Sequence, residues 1–287
     1  FYMGVIIIQI RRPLLIILMF VVAISFIITN NTKNDEELND KIITIQGVVK
    51  GKIEKKRYNQ YKVGVFLIND YTKNKNLKIG QKVNITGKFK SLDKMKYDDF
   101  DYGRYIKSTG YKGIVYINNY KIIDKNKLYS LIGEIKFYIS KTYRYLYKKN
   151  SDFINSILLA EVENLTEEQK EIFTRTGTSH VISISGLHTG ILCVIISFLL
   201  RGINKLYKLL ILSIFITLYC IMVGASPSII RSIAFVMIFY LSIFIDRKKD
   251  GISALSLIGI ILIMNNPYVI YNVSFQLSFL ATLSILI

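Results

Sequence analysis

The stretch LLILSIFITLYCIMV, Leu209–Val223, contains no charged residue, and its reading decides the class of the chain. A bilayer crossing needs about 20 apolar residues. The next apolar run, Ile229–Ile245, holds a single charge, Arg231. Working outward, membrane spans are expected near 181–200, 206–224, 228–245, 252–266 and 274–287, with one more at Leu14–Thr29. No A-x-A-like cleavage site follows that first run, so it reads as a transmembrane helix rather than a signal peptide. The sequence stops at Ile287 inside an apolar segment, which reads as a piece of something longer.

Charge gives the orientation. Arg11 and Arg12, the loop Arg201–Lys205 with Lys208, and Arg247-Lys248-Lys249 all fall on one side of these spans. Basic clusters stay cytoplasmic, so the N-terminus is expected inside and residues 31 to about 150 outside. That outer region is itself basic. Between Asn30 and Asn150 it carries 27 Lys+Arg against 12 Asp+Glu, +15 of the chain's +18. Such an excess suits an anionic partner, nucleic acid or lipid headgroups, and equally suits solubility in a Lys-rich proteome. Long loops translocate largely regardless of charge, so the two observations agree.

The outer region alternates as strands do. Val83, Ile85 and Phe89 interleave with Lys82, Asn84, Thr86, Lys88 and Lys90. Ile43, Ile45 and Val49 suggest a second strand, Val63, Val65 and Leu67 a third, and Val115 with Ile117 a fourth. Short strands punctuated by Gly80, Gly87 and Gly110 predict a small closed barrel of the OB type. The expected fold is a polytopic α-helical membrane bundle with an extracytoplasmic all-β barrel inserted after the first span. The expected divisions are 1–30, a transmembrane helix; 31–125, the barrel; 126–175, a helical linker; and 176–287, the remaining spans. In the linker, Thr166 with Gln169 makes a capping box. Phe153–Leu159 is amphipathic, as a helix lying in the membrane interface is.

Several residues are candidates for chemistry. TRTGTSHVISISGLHTG, Thr174–Gly190, enters an apolar run with two histidines and a cluster of hydroxyls. Polar groups inside lipid are expensive and mark function or helix pairing. His180 and His188 are too few for catalytic zinc, which usually has three protein ligands. Ser185 and His188 at i,i+3 are a frequent accidental spacing, so an intramembrane hydrolase is the weakest reading. Helix pairing and a hydrated path both remain open. GASPSIIR, Gly224–Arg231, breaks one span and opens the next, with Pro227 suited to a helix start. Arg231 one turn further pairs with freed carbonyls, meets an anion or snorkels to the interface. Gln276 is expected to hydrogen-bond another helix. Channel-lining candidates are thus His180, Ser183, Ser185, Gly186, His188, Ser226, Ser228, Arg231 and Gln276. Asp98, Asp99 and Asp101 read as solvated turn residues before a metal site. Tyr58, Tyr61, Tyr102, Tyr105, Tyr111 and Tyr116 lie among lysines, where rings stack bases or simply form strands. Lys55, Lys56, Arg57, Tyr58, Lys62, Lys82, Lys88, Lys90 and Arg104 are the DNA-binding candidates. Cys193 and Cys220 read as small buried hydrophobes.

These segments resemble a known family. RTGTSHVISISGLHTGIL (Arg175–Leu192) looks like the signature of the ComEC family, the inner-membrane channel of DNA uptake in competent bacteria. GASPSIIRS (Gly224–Ser232), NPYVIYNVSFQLSFLATL (Asn266–Leu283) and DFDYGRYIKSTGYKG (Asp99–Gly113) are similar to further family segments, in the family's order. Ser183, Asn272 and Ser274 depart from the pattern, standing where alanine, an acid and glycine are usual. The resemblance implies a membrane channel passing single-stranded DNA to the cytoplasm, with no cofactor and no enzymatic role for this chain. The metallo-β-lactamase-like domain that many members carry is not in this sequence. The partners implied are single-stranded DNA, membrane lipid, a cytoplasmic DNA-translocating motor and a DNA receptor, with self-association left open. The sequence has no phosphate-binding loop, so the drive would come from that motor. The rival reading is a membrane-anchored barrel that binds lipid headgroups or cell-wall glycan.

Overall fold

Pro13 opens the first helix, α1 (Pro13–Asn31), where its missing N–H costs nothing. In this computed structural model the described residues are 12–32, 35–55, 57–73, 76–97, 100–178, 186–224, 229–230, 233–234, 237–238 and 250–286. After α1 the chain builds a barrel. Strand β1 (Ile42–Glu54) is long enough to serve two neighbours. Ile42–Val48 pair with β4 (Gln81–Ser91), and Val49–Glu54 pair with β2 (Asn59–Val63). The register shifts between Val49 and Gly51, where a bulge turns the strand from one partner to the other. β2 pairs antiparallel with β3 (Phe66–Asp70). A short insert follows β4, with β5 (Lys96–Tyr97), β6 (Phe100–Asp101) and helix α2 (Tyr102–Ser108). β7 (Gly113–Lys125) then runs parallel to β3 and antiparallel to β4, closing the order β1-β2-β3-β7-β4. Five strands closed in this order form an OB-like barrel.

Alternation along β4 puts Val83, Ile85 and Phe89 inside with Val49, Tyr61, Ile68 and Val115. Each is worth about 1.5–3 kcal/mol of burial. The expected strand through Val63, Val65 and Leu67 is instead two strands. Val63 ends β2, Phe66 begins β3 opposite it, and Gly64–Val65 form the two-residue turn. Gly64 at φ +58° supplies the positive φ such a turn needs. A second apolar cluster of Leu67, Leu92, Met95, Ile106 and Ile114 seats α2 against the outer wall of the β3–β7 pair.

The linker forms α3 (Lys127–Tyr147), α4 (Ser151–Leu159) and α5 (Glu167–Arg175). The Thr166–Gln169 capping box is present at the start of α5. Phe153 stacks on Phe173 at 5.4 Å, and Leu159 is buried. Apolar helices follow: α6 (Gly186–Leu199), α7 (Lys205–Val223), α8 (Gly251–Asn265) and α9 (Val273–Leu286). Among the described residues, α1 and α7 are long and apolar enough to cross a membrane. Only 17% and 22% of their apolar windows are covered by protein, unlike the core helix of a soluble domain. Phe20 and Ile214 are 69% and 61% exposed. The span expected at 228–245 lies mostly outside the described residues.

α1 and α8 run side by side in the same direction. Arg12 meets Asp250 at their starts, 3.7 Å apart. At the other end, Ser25 Oγ donates to the Pro267 carbonyl at 2.7 Å, and the Thr29 and Tyr271 hydroxyls are 2.9 Å apart. Gly259 lets the helices close, because a methyl there would press Leu18 of α1 and Phe279 of α9. The barrel docks at that second end. Asn266 Nδ2 donates to the Lys107 carbonyl at 2.9 Å, and Asn272 Nδ2 donates to Ser108 Oγ at 3.1 Å.

Candidate nucleic-acid interface

Strand register assembles an aromatic surface on the barrel. Asn59 faces Asp70 across the β2–β3 pair, so Tyr58 just before β2 meets Tyr71 just after β3. Their ring centroids are 4.8 Å apart. Asn69 faces Tyr116 across the parallel β3–β7 pair, and Tyr71, two residues on, lies 5.8 Å from the Tyr116 ring. The turn that carries Tyr71 is held by Asp70, whose Oδ1 accepts from the Thr72 amide at 3.1 Å and its hydroxyl at 2.6 Å. Met95, Tyr102 and Ile114 close the far side of a cleft of about 240 Å³, with Asn69 in its lining. Gln60 Nε2 donates to Asn69 Oδ1 at 2.9 Å, fixing that buried amide. Lys55 Nζ stands 5.1 Å from the Tyr58 centroid and donates to the Tyr58 hydroxyl at 3.1 Å.

Of the six tyrosines expected from the sequence, Tyr58, Tyr102 and Tyr116 line this cleft. Tyr61 lies in the barrel core, where burial raises its phenol pKa, and burial pushes Tyr111 up to about 12. Tyr105 packs on Phe100 and Tyr102 at 5.9 and 6.2 Å. Sequence reasoning missed Tyr71, whose place depends on the β2–β3 register.

The basic candidates do not gather in one patch. Lys55 stands on Tyr58 at the edge of the cleft, and Arg57 is exposed. Lys82, Lys88 and Lys90 lie along β4, with Lys88 paired to Asp40 at 3.1 Å. Lys62 reaches the C-terminal end of α7, where a methyl on Gly224 would lie 3.9 Å from its Nζ. Burial lowers its pKa, and Glu163 partly offsets this. Arg104 faces the helices. It pairs with Asp101 at 3.4 Å, reaches Asn30 Oδ1 at 3.4 Å and lies 4.9 Å from the Tyr271 centroid. Asp101 Oδ1 caps α2 by accepting from the Arg104 amide at 2.8 Å, a structural role. Among the described residues no three His, Cys, Asp or Glu side chains gather as a metal site would require.

In the helical part, Gly186 begins α6 and His188 lies in its first turn. Among the described residues, the partner of Gln276 is close in sequence rather than on another long helix. Its Nε2 donates at 2.6 Å to the Ile270 carbonyl, in the turn that precedes its own helix. The short path back to that carbonyl satisfies the amide locally. Cys193 is buried against Leu212 and Ile216. His180, Ser183, Ser185, Ser226, Ser228, Arg231, Lys56, Asp98 and Asp99 lie outside the described residues.

Residues 157–287 match the family described as Competence protein. ComE operon protein 3 of Bacillus subtilis (strain 168) is 26% identical over 165 residues, 57% of this chain and 21% of its own length. An uncharacterized protein of Aquifex aeolicus (strain VF5) is 30% identical over 125 residues, 43% of this chain and 30% of its own. The chain therefore spans less than a third of either relative. Among solved structures, aspartyl tRNA synthetase from Entamoeba histolytica aligns over 58% of this chain and 36% of its own. The TM-score is 0.23 at 12% identity, too slight a likeness to bear on the fold. The family match takes in α5 to α9 and leaves out α1 and the barrel, so residues 157–287 are a Competence-family domain, similar to part of ComE operon protein 3.

Proposed function

We propose that this chain is the barrel and part of the channel of a multi-pass membrane protein that takes up single-stranded DNA during natural transformation. The Competence match over residues 157–287 carries this reading. Largely uncovered apolar helices support a membrane location. The orientation with the N-terminus inside is supported by the two ends of the α1–α8 pair. Arg12 stands at one end, and the barrel docks at the other. The barrel would then meet incoming DNA outside the membrane, and its positive charge would raise the local concentration of a polyanion. His188, Gly186 and Gln276, with His180, Ser183, Ser185, Ser226, Ser228 and Arg231, are the proposed polar lining of the path. A DNA receptor outside and a translocating motor inside complete the proposed route, and lipid surrounds the spans.

The test is uptake of labelled DNA by a naturally transformable host that lacks the gene. Complementation with the full-length gene should restore a DNase-protected, single-stranded intracellular label. A complemented host that expresses the protein yet internalises no label overturns the reading.

A further inference from the structure

We propose that the Tyr58–Tyr71–Tyr116 cleft seats one unstacked base of a single strand, with Lys55 placed for the adjoining phosphate. The proposal rests on the DNA-uptake reading and names the ligand of its barrel.

Three rings in succession, 4.8 and 5.8 Å between neighbouring centroids and tilted 32° and 38° to one another, form an aromatic cluster of the kind that holds single strands. Tyr71 is 55% exposed at its middle, so the platform is open to an incoming ring. Clefts for drug-sized ligands run about 300–1,000 Å³. A cleft of about 240 Å³ lies just below that range and has room for a base. Its lining suits a base. Met95 and Ile114 are apolar walls, and the Asn69 amide, oriented by Gln60, offers hydrogen bonding to a base edge. Lys55 adds one cation at the rim, beside Tyr58.

The chemistry selects single strands. In a duplex each base face is covered by its neighbours and each pairing edge by its partner. Only an unpaired, unstacked base presents both to the cleft. Every base has a π-face, so the seat is tolerant of sequence, as uptake of arbitrary DNA requires. The seat lies on the β2–β3 face of the barrel with the insert after β4 as its far wall. That face of an OB barrel takes oligonucleotides or oligosaccharides, so the test must separate the two.

The full-length protein in nanodiscs is titrated with fluorescein-labelled oligothymidylate, a duplex of equal length, and a cell-wall oligosaccharide. Wild type should bind the single strand in preference to the duplex. Tyr71→Ala should weaken single-strand binding about 5- to 150-fold. Tyr71→Phe, which keeps the ring, should restore it and shows that loss of the hydroxyl or of folding is not the cause. Lys55→Gln should reduce the slope of log K against log salt by about 1. If wild type binds single strands and Tyr71→Ala binds them equally well, the seat is overturned while the uptake reading stands. If wild type binds no single strand at low salt, or binds only the oligosaccharide, the DNA reading of the barrel itself falls.

Discussion

Asn272 holds two structures together with one amide. Its Oδ1 accepts from the Phe275 amide at 3.1 Å, capping α9, while its Nδ2 donates to Ser108 Oγ at 3.1 Å, tying α9 to the barrel insert. It is 3% exposed. Losing a cap costs about 0.5–2 kcal/mol, and the bond to Ser108 goes with it, although that hydroxyl keeps the Tyr105 carbonyl at 2.6 Å. Asn272→Ala should lower thermal stability in detergent accordingly. Asn272→Asp keeps the cap and places a negative charge at a helix N-terminus, where it is favourable, so it should cost less. Equal melting losses for the two variants would show that the cap is not what Asn272 contributes. Gly103 is a second single-atom constraint. A methyl there would stand 2.8 Å from the Leu92 carbonyl carbon, so α2 could not rest on the Leu92–Lys94 turn. Gly103→Ala should destabilise by about 1–3 kcal/mol, read as a lower unfolding midpoint.

At the level of elements, β4 was legible because its alternation is uninterrupted and one face is buried. The Val63–Leu67 stretch misled for the opposite reason: its alternating valines run straight through a turn, and only pairing of Val63 with Phe66 reveals two strands. The same limit explains the aromatic site. Composition nominates tyrosines, but whether one faces the core, as Tyr61 does, or the cleft, as Tyr71 does, is decided by register. A further consequence concerns the junction of β2 with α3. Burial lowers the pKa of Lys62, offset by Glu163, and of Lys136, offset by Glu161 and Glu163. Lys62 also lowers that of Lys136. The unfolded chain binds these protons more tightly than the folded one. The two lysines therefore cost stability at neutral pH, and the cost is relieved as pH rises through the lowered values toward 10.5. Lys62→Met should melt higher than wild type at pH 7, with the gap narrowing as pH rises. A gap that stays constant or widens with pH would assign the effect to packing instead.

Across the whole molecule, α2 is the piece that links barrel to helices. Tyr102 at its start lines the aromatic cleft, while Arg104 and Lys107 lie 4.9 and 5.1 Å from the Tyr271 and Tyr268 ring centroids. The Pro267–Tyr271 turn carrying those rings leads into α9, where Gln276 binds the Ile270 carbonyl. One helix of seven residues thus touches both the proposed base seat and the entrance of a proposed span. Its hold is modest. A cation–π contact contributes about 0.5–2 kcal/mol, and the Arg104–Asn30 bond is long at 3.4 Å. Arg104→Gln should therefore leave the barrel folded and loosen its seat on the helices. Hydrogen exchange should rise at residues 266–272 and stay unchanged in β1–β4. Oligonucleotide affinity should stay within about twofold, because the ring ladder is untouched and Arg104 faces the helices rather than the cleft. DNA uptake should fall, since a barrel free to tilt no longer presents the strand to the helix ends. Uptake that persists at the wild-type rate despite faster exchange at 266–272 would mean that capture and passage need no fixed alignment, and the barrel would act only as a tethered concentrator.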